Sequence, residues 1–281
     1  MSKKKIIKIK WNNVIIFLLI IVSTIGLIIS ITNIIKWKLD SNNTNKQINQ
    51  FKETTKIEEI EDNNTTKIIE QEEDIPDTNP YWDYIKMNLI DVDIGKLKKI
   101  NSDTIGWLQV NGTNINYPFV QAKNNEYYLK NDFNKKYNSA GWVFMDYRNN
   151  ISNLDKNTII YAHGRLDKTM FGSLKNILTS GWLKNINNYV IKLSTDKENT
   201  LWQVFSVYHI PTTSDYLEIN FNNNNDFLDF AKMLLNRSAY NFNTSVSKND
   251  NILTLSTCYN DKERVVLHAK LIKSSEKANN D

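Results

Sequence analysis

An uninterrupted apolar run near the N-terminus is the strongest hydrophobic pattern in the chain. Residues 14–35 include no charged side chain. As a helix rising about 1.5 Å per residue, they reach about 33 Å, which is enough to cross a hydrocarbon core of about 30 Å. The apolar region of a cleavable signal peptide is shorter than this. The run therefore predicts an uncleaved transmembrane helix.

A polar, acid-leaning stretch follows the apolar run. Between residues 36 and 79 aromatic residues are sparse, and Pro76 and Pro80 mark the end of the stretch. Such a composition is typical of segments that bury little apolar surface. It favours a spacer that holds a folded domain away from the membrane, and a helical or coiled segment is the alternative.

Short alternating runs of β-branched and aromatic residues fill the chain from Tyr81 onward. Asn111-Gly112 between the first two runs is a strong hairpin signal. Helices are expected near residues 91–100, 168–178 and 226–237. Many short strands with few helices and no βαβ alternation indicate a mainly β fold, a closed or nearly closed barrel. The predicted strands cover residues 105–110, 114–120, 141–147, 157–163, 189–194, 201–210, 252–258 and 264–272.

Charge excludes some functions and predicts an orientation. The net charge is only +4, and no basic patch beyond the N-terminus indicates nucleic-acid binding. The chain has no phosphate loop, dinucleotide fingerprint or metal-ligand cluster, so we expect no cofactor and no metal. A lysine cluster before the apolar run predicts that the N-terminus stays in the cytoplasm. This cluster consists of Lys3, Lys4, Lys5, Lys8 and Lys10.

Cys258 is the only cysteine in the chain. A single cysteine excludes an internal disulfide and a multi-cysteine zinc site, which leaves an inert buried thiol, an intermolecular bridge or a reactive thiol. If the five residues YNDKE close a hairpin, Arg264 lies opposite Cys258 with Cβ atoms about 5 Å apart. A guanidinium beside a thiol favours the thiolate and can stabilise an oxyanion. The alternative is a surface arginine that caps the loop.

A cysteine nucleophile usually needs a histidine for proton transfer. His163 ends an apolar strand before Gly164, whereas His209 precedes Ile210-Pro211 and His268 lies too far along its strand to share a site with the arginine. Local context favours His163. A third member stays unranked among Asp146, Asp167 and Asp215.

These motifs together resemble the sortases, and in detail the class B sortases. The resemblance rests on TLSTC followed by RVVLHAKL, on the upstream YAHG, on INSDTIGWLQVNGTNINYPFVQAKNNEYYLKNDFN and SAGWVFMDYRN, and on the N-terminal anchor. It covers residues 81–272. It implies a closed eight-stranded sortase-like β-barrel with a few flanking helices, preceded by the transmembrane helix. The expected division is a basic cytoplasmic tail at 1–13, an anchor at 14–35, an extracellular spacer at 36–79, a catalytic domain at 80–273 and a polar tail at 274–281.

The resemblance also implies roles for individual residues. Cys258 matches the family's nucleophile, His163 its histidine and Arg264 its essential arginine. Ser256 and Thr257 match positions that bind substrate. The helix near residues 226–237 matches one that shapes the groove for the sorting signal.

The function that the resemblance implies is that of a single-pass cell-membrane enzyme of a Gram-positive bacterium. It is a cysteine transpeptidase and thiol endopeptidase that cleaves a C-terminal sorting signal of secreted proteins after Thr. The new carboxyl is then joined to an amine of a lipid II-type peptidoglycan precursor. Two alternatives remain. One is a sortase that polymerises pilin subunits, although the tail after Ile272 is polar and has no second apolar span. The other is a non-catalytic membrane-tethered barrel that binds peptides.

Overall fold

A computed structural model describes residues 10–71, 75–258 and 262–277, with only the backbone described at Cys258. The described residues divide into two compact units, with the boundary between residues 43 and 44. The helices are α1 (Trp11–Thr54), α2 (Tyr81–Tyr84), α3 (Ile94–Ile100), α4 (Ser180–Leu183) and α5 (Asn224–Asn236), with 3₁₀ helices at Tyr127–Leu129, Gly172–Leu178, Ile186–Asn188 and Asp215–Leu217. The strands are β1 (Ile57–Ile60), β2 (Thr66–Ile68), β3 (Leu89–Val92), β4 (Thr104–Val110), β5 (Asn116–Val120), β6 (Phe144–Met145), β7 (Asn157–Tyr161), β8 (Val190–Thr195), β9 (Glu198–Pro211), β10 (Ile252–Cys258) and β11 (Glu263–Glu276).

Helix α1 contains the predicted membrane span. Among the described residues it is the one helix long and apolar enough to cross a membrane, by length and composition. Apolar side chains along it, including Phe17, Val22 and Leu27, are exposed. Exposed apolar surface of this extent is costly in water but suits contact with lipid chains.

Eight strands close into a barrel in the second unit. The order is β10–β7–β6–β5–β4–β8–β9–β11, and β11 pairs back onto β10. The neighbours are antiparallel except β5–β6 and β7–β10, which are parallel. The predicted closed eight-stranded barrel is therefore confirmed.

The barrel interior is a continuous apolar core. Trp107, Phe119, Leu255 and Leu267 have no exposed surface. Burying a large apolar side chain contributes about 1.5–3 kcal/mol. The predicted β4–β5 hairpin is also present, and its Gly112 has φ +68°, a conformation that favours glycine.

Helix α5 covers part of the outer surface. Phe227 and Leu234 pack against Phe205 and Val266 in a second apolar cluster. The side chain of Asn223 caps the helix by accepting from the N–H groups of residues 225 and 226. This helix is close to the range predicted from sequence.

Several predicted elements differ in extent. Residues 89–92 form β3, so the helix predicted at 91–100 begins only at Ile94, where the Asp93 side chain accepts from the Lys96 N–H and caps it. The helix predicted at 168–178 is a 3₁₀ helix over Gly172–Leu178. The strand predicted at 141–147 shortens to Phe144–Met145.

The stretch predicted as a spacer has regular structure in the second unit. Near the end of α1, Phe51 is buried, and its ring centroid lies 4.6 Å from that of Phe133 and 5.8 Å from that of Trp142. Strand β1 pairs with β3, and β2 extends the sheet beside β11. Strand β11 itself runs into the predicted polar tail. The domain boundaries stay a prediction.

Candidate active site

Three strand ends meet at one end of the barrel. Strands β7 and β10 are parallel neighbours, so their carboxyl ends lie together. Strand β11 is antiparallel to β10 and begins at that same end. The topology therefore gathers residues from three distant parts of the sequence.

His163 and Cys258 occupy equivalent positions just beyond the last residue pair of β7 and β10. The parallel pairing of β7 and β10 extends to Tyr161 and Ser256. His163 and Cys258 each lie two residues further along their chains. The Thr257 hydroxyl lies 2.8 Å from the Ala162 carbonyl oxygen, so the two chains are still in contact one residue before Cys258 and His163.

Arg264 lies on the other side of Cys258. The β10–β11 register pairs Cys258 with Arg264, as the hairpin interpretation predicts. Arg264 is partly buried, and its Nη1 donates to the Glu263 carbonyl oxygen at 3.1 Å. Residues 259–261 of the intervening loop lie outside the described residues.

The ring of His163 contacts a backbone group from a distant part of the chain. Its Nε2 lies 2.8 Å from the Leu129 carbonyl oxygen, and the ring is partly buried. The His163 carbonyl oxygen accepts from the Phe171 N–H at 3.0 Å. In the loop that follows, Arg165 Nη2 donates to the Asp167 carboxylate at 3.0 Å.

Ser256 and Thr257 occupy opposite faces of β10. Ser256 is buried, and its hydroxyl forms a 2.9 Å hydrogen bond with the Tyr216 hydroxyl. Thr257 is 2% exposed, and its hydroxyl donates to the Ala162 carbonyl oxygen at 2.8 Å. This bond ties the residue before Cys258 to the residue before His163. Substrate binding by Ser256 and Thr257 stays a prediction.

Comparison with known proteins identifies the family of this chain. A Sortase domain model matches residues 108–272. The chain belongs to the sortase family. Its class is B, because Staphylococcus aureus Sortase B is 37% identical over 183 residues, which span 64% of this chain and 74% of the relative.

Solved sortase B structures share the fold. Sortase B of Bacillus anthracis, solved in complex with AAEK1, matches with a TM-score of 0.65 at 30% identity, covering 84% of this chain and 99% of that one. A Staphylococcus aureus sortase B–substrate complex gives a TM-score of 0.60 at 37% identity, covering 64% and 84%. By family, this sortase is a cysteine transpeptidase.

The three aspartates left unranked by sequence are engaged elsewhere in this sortase. Asp146 is fully buried and accepts from Arg148 Nε at 2.9 Å, from the Tyr161 hydroxyl at 2.9 Å and from Asn125 Nδ2 at 3.0 Å. Burial acts to raise the pKa of Asp146, but these hydrogen bonds outweigh it and lower the pKa below its ordinary value. Asp167 pairs with Arg165, and Asp215 pairs with Arg237. The hydrogen bond described for the His163 ring goes to a backbone carbonyl instead.

The other two histidines have different environments. His209 is exposed near the end of β9. His268 is fully buried, with Nε2 2.8 Å from the Tyr208 hydroxyl and Nδ1 2.8 Å from the Thr254 hydroxyl. Burial lowers the pKa of His268 to about 3. It is a neutral structural histidine.

Sequence reasoning missed the groups that hold the site. The Leu129 carbonyl has no side-chain signature, because every residue carries such an oxygen. Tyr216, which bonds Ser256, lies 40 residues away in sequence, and nothing in its local pattern marks it. Among the described residues, no group of three or more His, Cys, Asp or Glu side chains is placed to hold a metal ion.

Proposed function

We propose that this sortase is membrane-anchored, cleaves a C-terminal sorting signal after Thr and joins the new carboxyl to an amine of a peptidoglycan precursor. The observation that supports the proposal is strand register: β10 pairs Cys258 with Arg264, and the pairing of β10 with β7 ends at Ser256 and Tyr161, two residues before Cys258 and His163. Nucleophile, proton carrier and cation are the three groups that this reaction requires.

In the acylation step, the Cys258 thiolate attacks the carbonyl carbon of the substrate Thr. A carbon–sulfur bond forms, and negative charge develops on the carbonyl oxygen. Arg264 and backbone N–H groups stabilise this oxyanion. The carbon–nitrogen bond then breaks, and His163 gives a proton to the leaving amine.

Deacylation reverses these roles with a new amine. The acceptor amine attacks the thioester carbon while His163 takes its proton. The carbon–sulfur bond breaks, the new amide leaves and Cys258 regains its thiolate. A sortase B 36% identical to this chain has been solved in complex with triglycine, so this peptide is a suitable first acceptor.

The location follows from the N-terminal segment. Helix α1 has the length and composition of a membrane span, and the lysine cluster lies before it. Because positive residues stay on the cytoplasmic side, the chain after the span faces outward. Secreted proteins bearing a sorting signal and lipid-linked wall precursors meet at that face.

A peptide library tests the proposal directly. The full chain in detergent is incubated with peptides that carry a Thr at each scissile position, with and without triglycine. We expect cleavage after Thr, a thioacyl adduct visible in the intact mass, and a triglycine-linked product. Cys258→Ala is expected to fold normally, by circular dichroism, and to lose all three signals. Cleavage by the alanine variant would contradict the proposal.

A further inference from the structure

The hydrogen bond of His163 fixes where its ring proton sits. The ring Nε2 lies 2.8 Å from the Leu129 carbonyl oxygen. A carbonyl oxygen only accepts hydrogen bonds, so Nε2 must be the donor. A neutral imidazole carries one N–H, and its Nδ1 is then left with the lone pair.

The accepting carbonyl belongs to a firmly held turn. Leu129 ends the 3₁₀ helix Tyr127–Leu129. The buried Tyr128 hydroxyl accepts from Asn101 Nδ2 at 2.9 Å and donates to Asp103 at 2.8 Å. The Tyr128 carbonyl oxygen accepts from the Trp142 N–H at 2.8 Å. The turn therefore presents the Leu129 oxygen from a fixed position.

Gly141 lies directly against this turn. Its φ is +60°, and a Cβ at this position would overlap the Tyr128 carbonyl oxygen and lie 3.0 Å from the Leu129 oxygen. Any larger residue must push these two carbonyls away. The absence of a side chain at Gly141 thus leaves room for the carbonyl oxygen that holds the His163 ring.

Building on the proposed function, we propose that the Leu129 carbonyl holds the neutral His163 in its Nε2–H form, and that Gly141 is a positioning residue for this carbonyl. Nδ1 is then the nitrogen that takes the proton from the Cys258 thiol. The same nitrogen returns that proton to the leaving amine as its bond to the Thr carbonyl breaks. While the ring is cationic, the Nε2–H bond to the carbonyl is charge-assisted and strengthens, which stabilises the imidazolium.

Nitrogen NMR on the full chain in detergent reads the tautomer without any substrate. The chain has three histidines, so ¹⁵N-histidine labelling gives three ring patterns, and a His163→Gln variant identifies the relevant one. At a pH where the ring is neutral, we expect the proton on Nε2. A proton on Nδ1 would overturn the inference, whatever the activity of the enzyme.

Two glycine variants test the positioning role. Gly141→Ala and Gly112→Ala each place a Cβ at a positive φ where it overlaps a neighbouring group, but Gly112 contacts the side chain of Asn188, away from the His163 turn. Both variants are expected to lose stability. Only Gly141→Ala is expected to change the His163 nitrogen pattern, shift the pH–rate profile and lower kcat by about tenfold or more, since general acid–base catalysis contributes about 10²–10⁴-fold.

The outcomes separate this inference from the proposed function. Equal kcat, pH profile and nitrogen pattern in the two alanine variants would overturn the role of Gly141. If Gly141→Ala fails to fold, the same comparison is made with Gly141→Asn, because asparagine tolerates positive φ better. Full activity of His163→Gln would instead overturn the proposed function. That outcome is independent of the tautomer measured for His163 in the wild-type chain.

Discussion

Arg264 contributes a planar cation with several hydrogen-bond donors at the position opposite Cys258, the proposed nucleophile. One donor is used on the Glu263 carbonyl, which orients the group relative to the start of β11. An ammonium carries the same charge but lacks the planar arrangement of donors. Geometry and charge can therefore be tested separately at this residue.

We expect Arg264→Gln to lower kcat/KM for sorting-peptide cleavage by about 10²–10³-fold, the loss typical of an oxyanion donor. Arg264→Lys should lose less, because the charge remains. Lys262→Gln removes an exposed positive charge nearby and serves as the control. Steady-state kinetics on the three variants checks this. Equal activity of Arg264→Gln and Lys262→Gln would contradict the assigned role.

The buried His268 makes stability depend on pH. Its pKa is about 3 in the folded chain and near its ordinary value of about 6.5 when unfolded, so unfolding takes up a proton between these values. Its contribution to stability is complete above about pH 6.5 and falls as pH drops toward 3. The slope approaches about 1.4 kcal/mol per pH unit.

Urea unfolding of wild type and His268→Gln at pH 7.5 and pH 5 isolates this effect. We expect the variant to be less stable at pH 7.5 and the difference in unfolding free energy to shrink at pH 5. His209→Gln should track wild type, because His209 is exposed. A difference that stays constant between the two pH values would rule out a neutral buried His268.

At the scale of elements, the end of α1 is part of the barrel's packing. The stretch TNKQINQFKET is mostly polar, and its apolar positions, Ile48 and Phe51, are three residues apart. Both are buried within the second unit. Two apolar residues in a polar run are too few to indicate a buried helix face, which is why the sequence predicts a spacer here.

Phe51→Ala is expected to lower the free energy of unfolding by about 3–5 kcal/mol, since it leaves a cavity beside Phe133 and Trp142. Lys52→Ala changes the next residue, which is exposed, and should cost little. Chemical denaturation of both variants provides the measurement. If Phe51→Ala matches Lys52→Ala, residues 44–54 act as a spacer after all.

The sequence predicted the barrel strands more accurately than strands β1 and β2. Strand β10 has the range predicted from its alternation, and the closed barrel follows from many such strands. The sequence does not predict β1 (IEEI) or β2 (TKI), because both strands are short and their side chains are mostly exposed. Their pairing is set by β3 and β11, which are distant in sequence. At the site, Cys258, His163 and Arg264 carry side-chain signals, whereas a backbone carbonyl carries none.

At the scale of the whole molecule, the proposed location of the enzyme rests on the apolar part of α1 and on the lysines before it. We expect the full chain in the membrane fraction of an expressing bacterium, with its barrel digested by protease added outside intact cells. The reason is that positively charged flanks stay in the cytoplasm. Immunoblotting with a C-terminal tag checks this. A barrel protected in intact cells and digested only after lysis would contradict the proposed orientation.

The parallel pairing of β7 with β10 also bears on when activity can arise. Ala162 and Thr257, the residues that link the two strands, are 95 positions apart in the chain. Contacts of such high sequence separation require a long loop to close and are slow to form. Until that loop has closed, Cys258 on β10 and His163, which follows β7, are held apart. With the roles proposed for these two residues, the transpeptidase becomes active only when its own barrel closes.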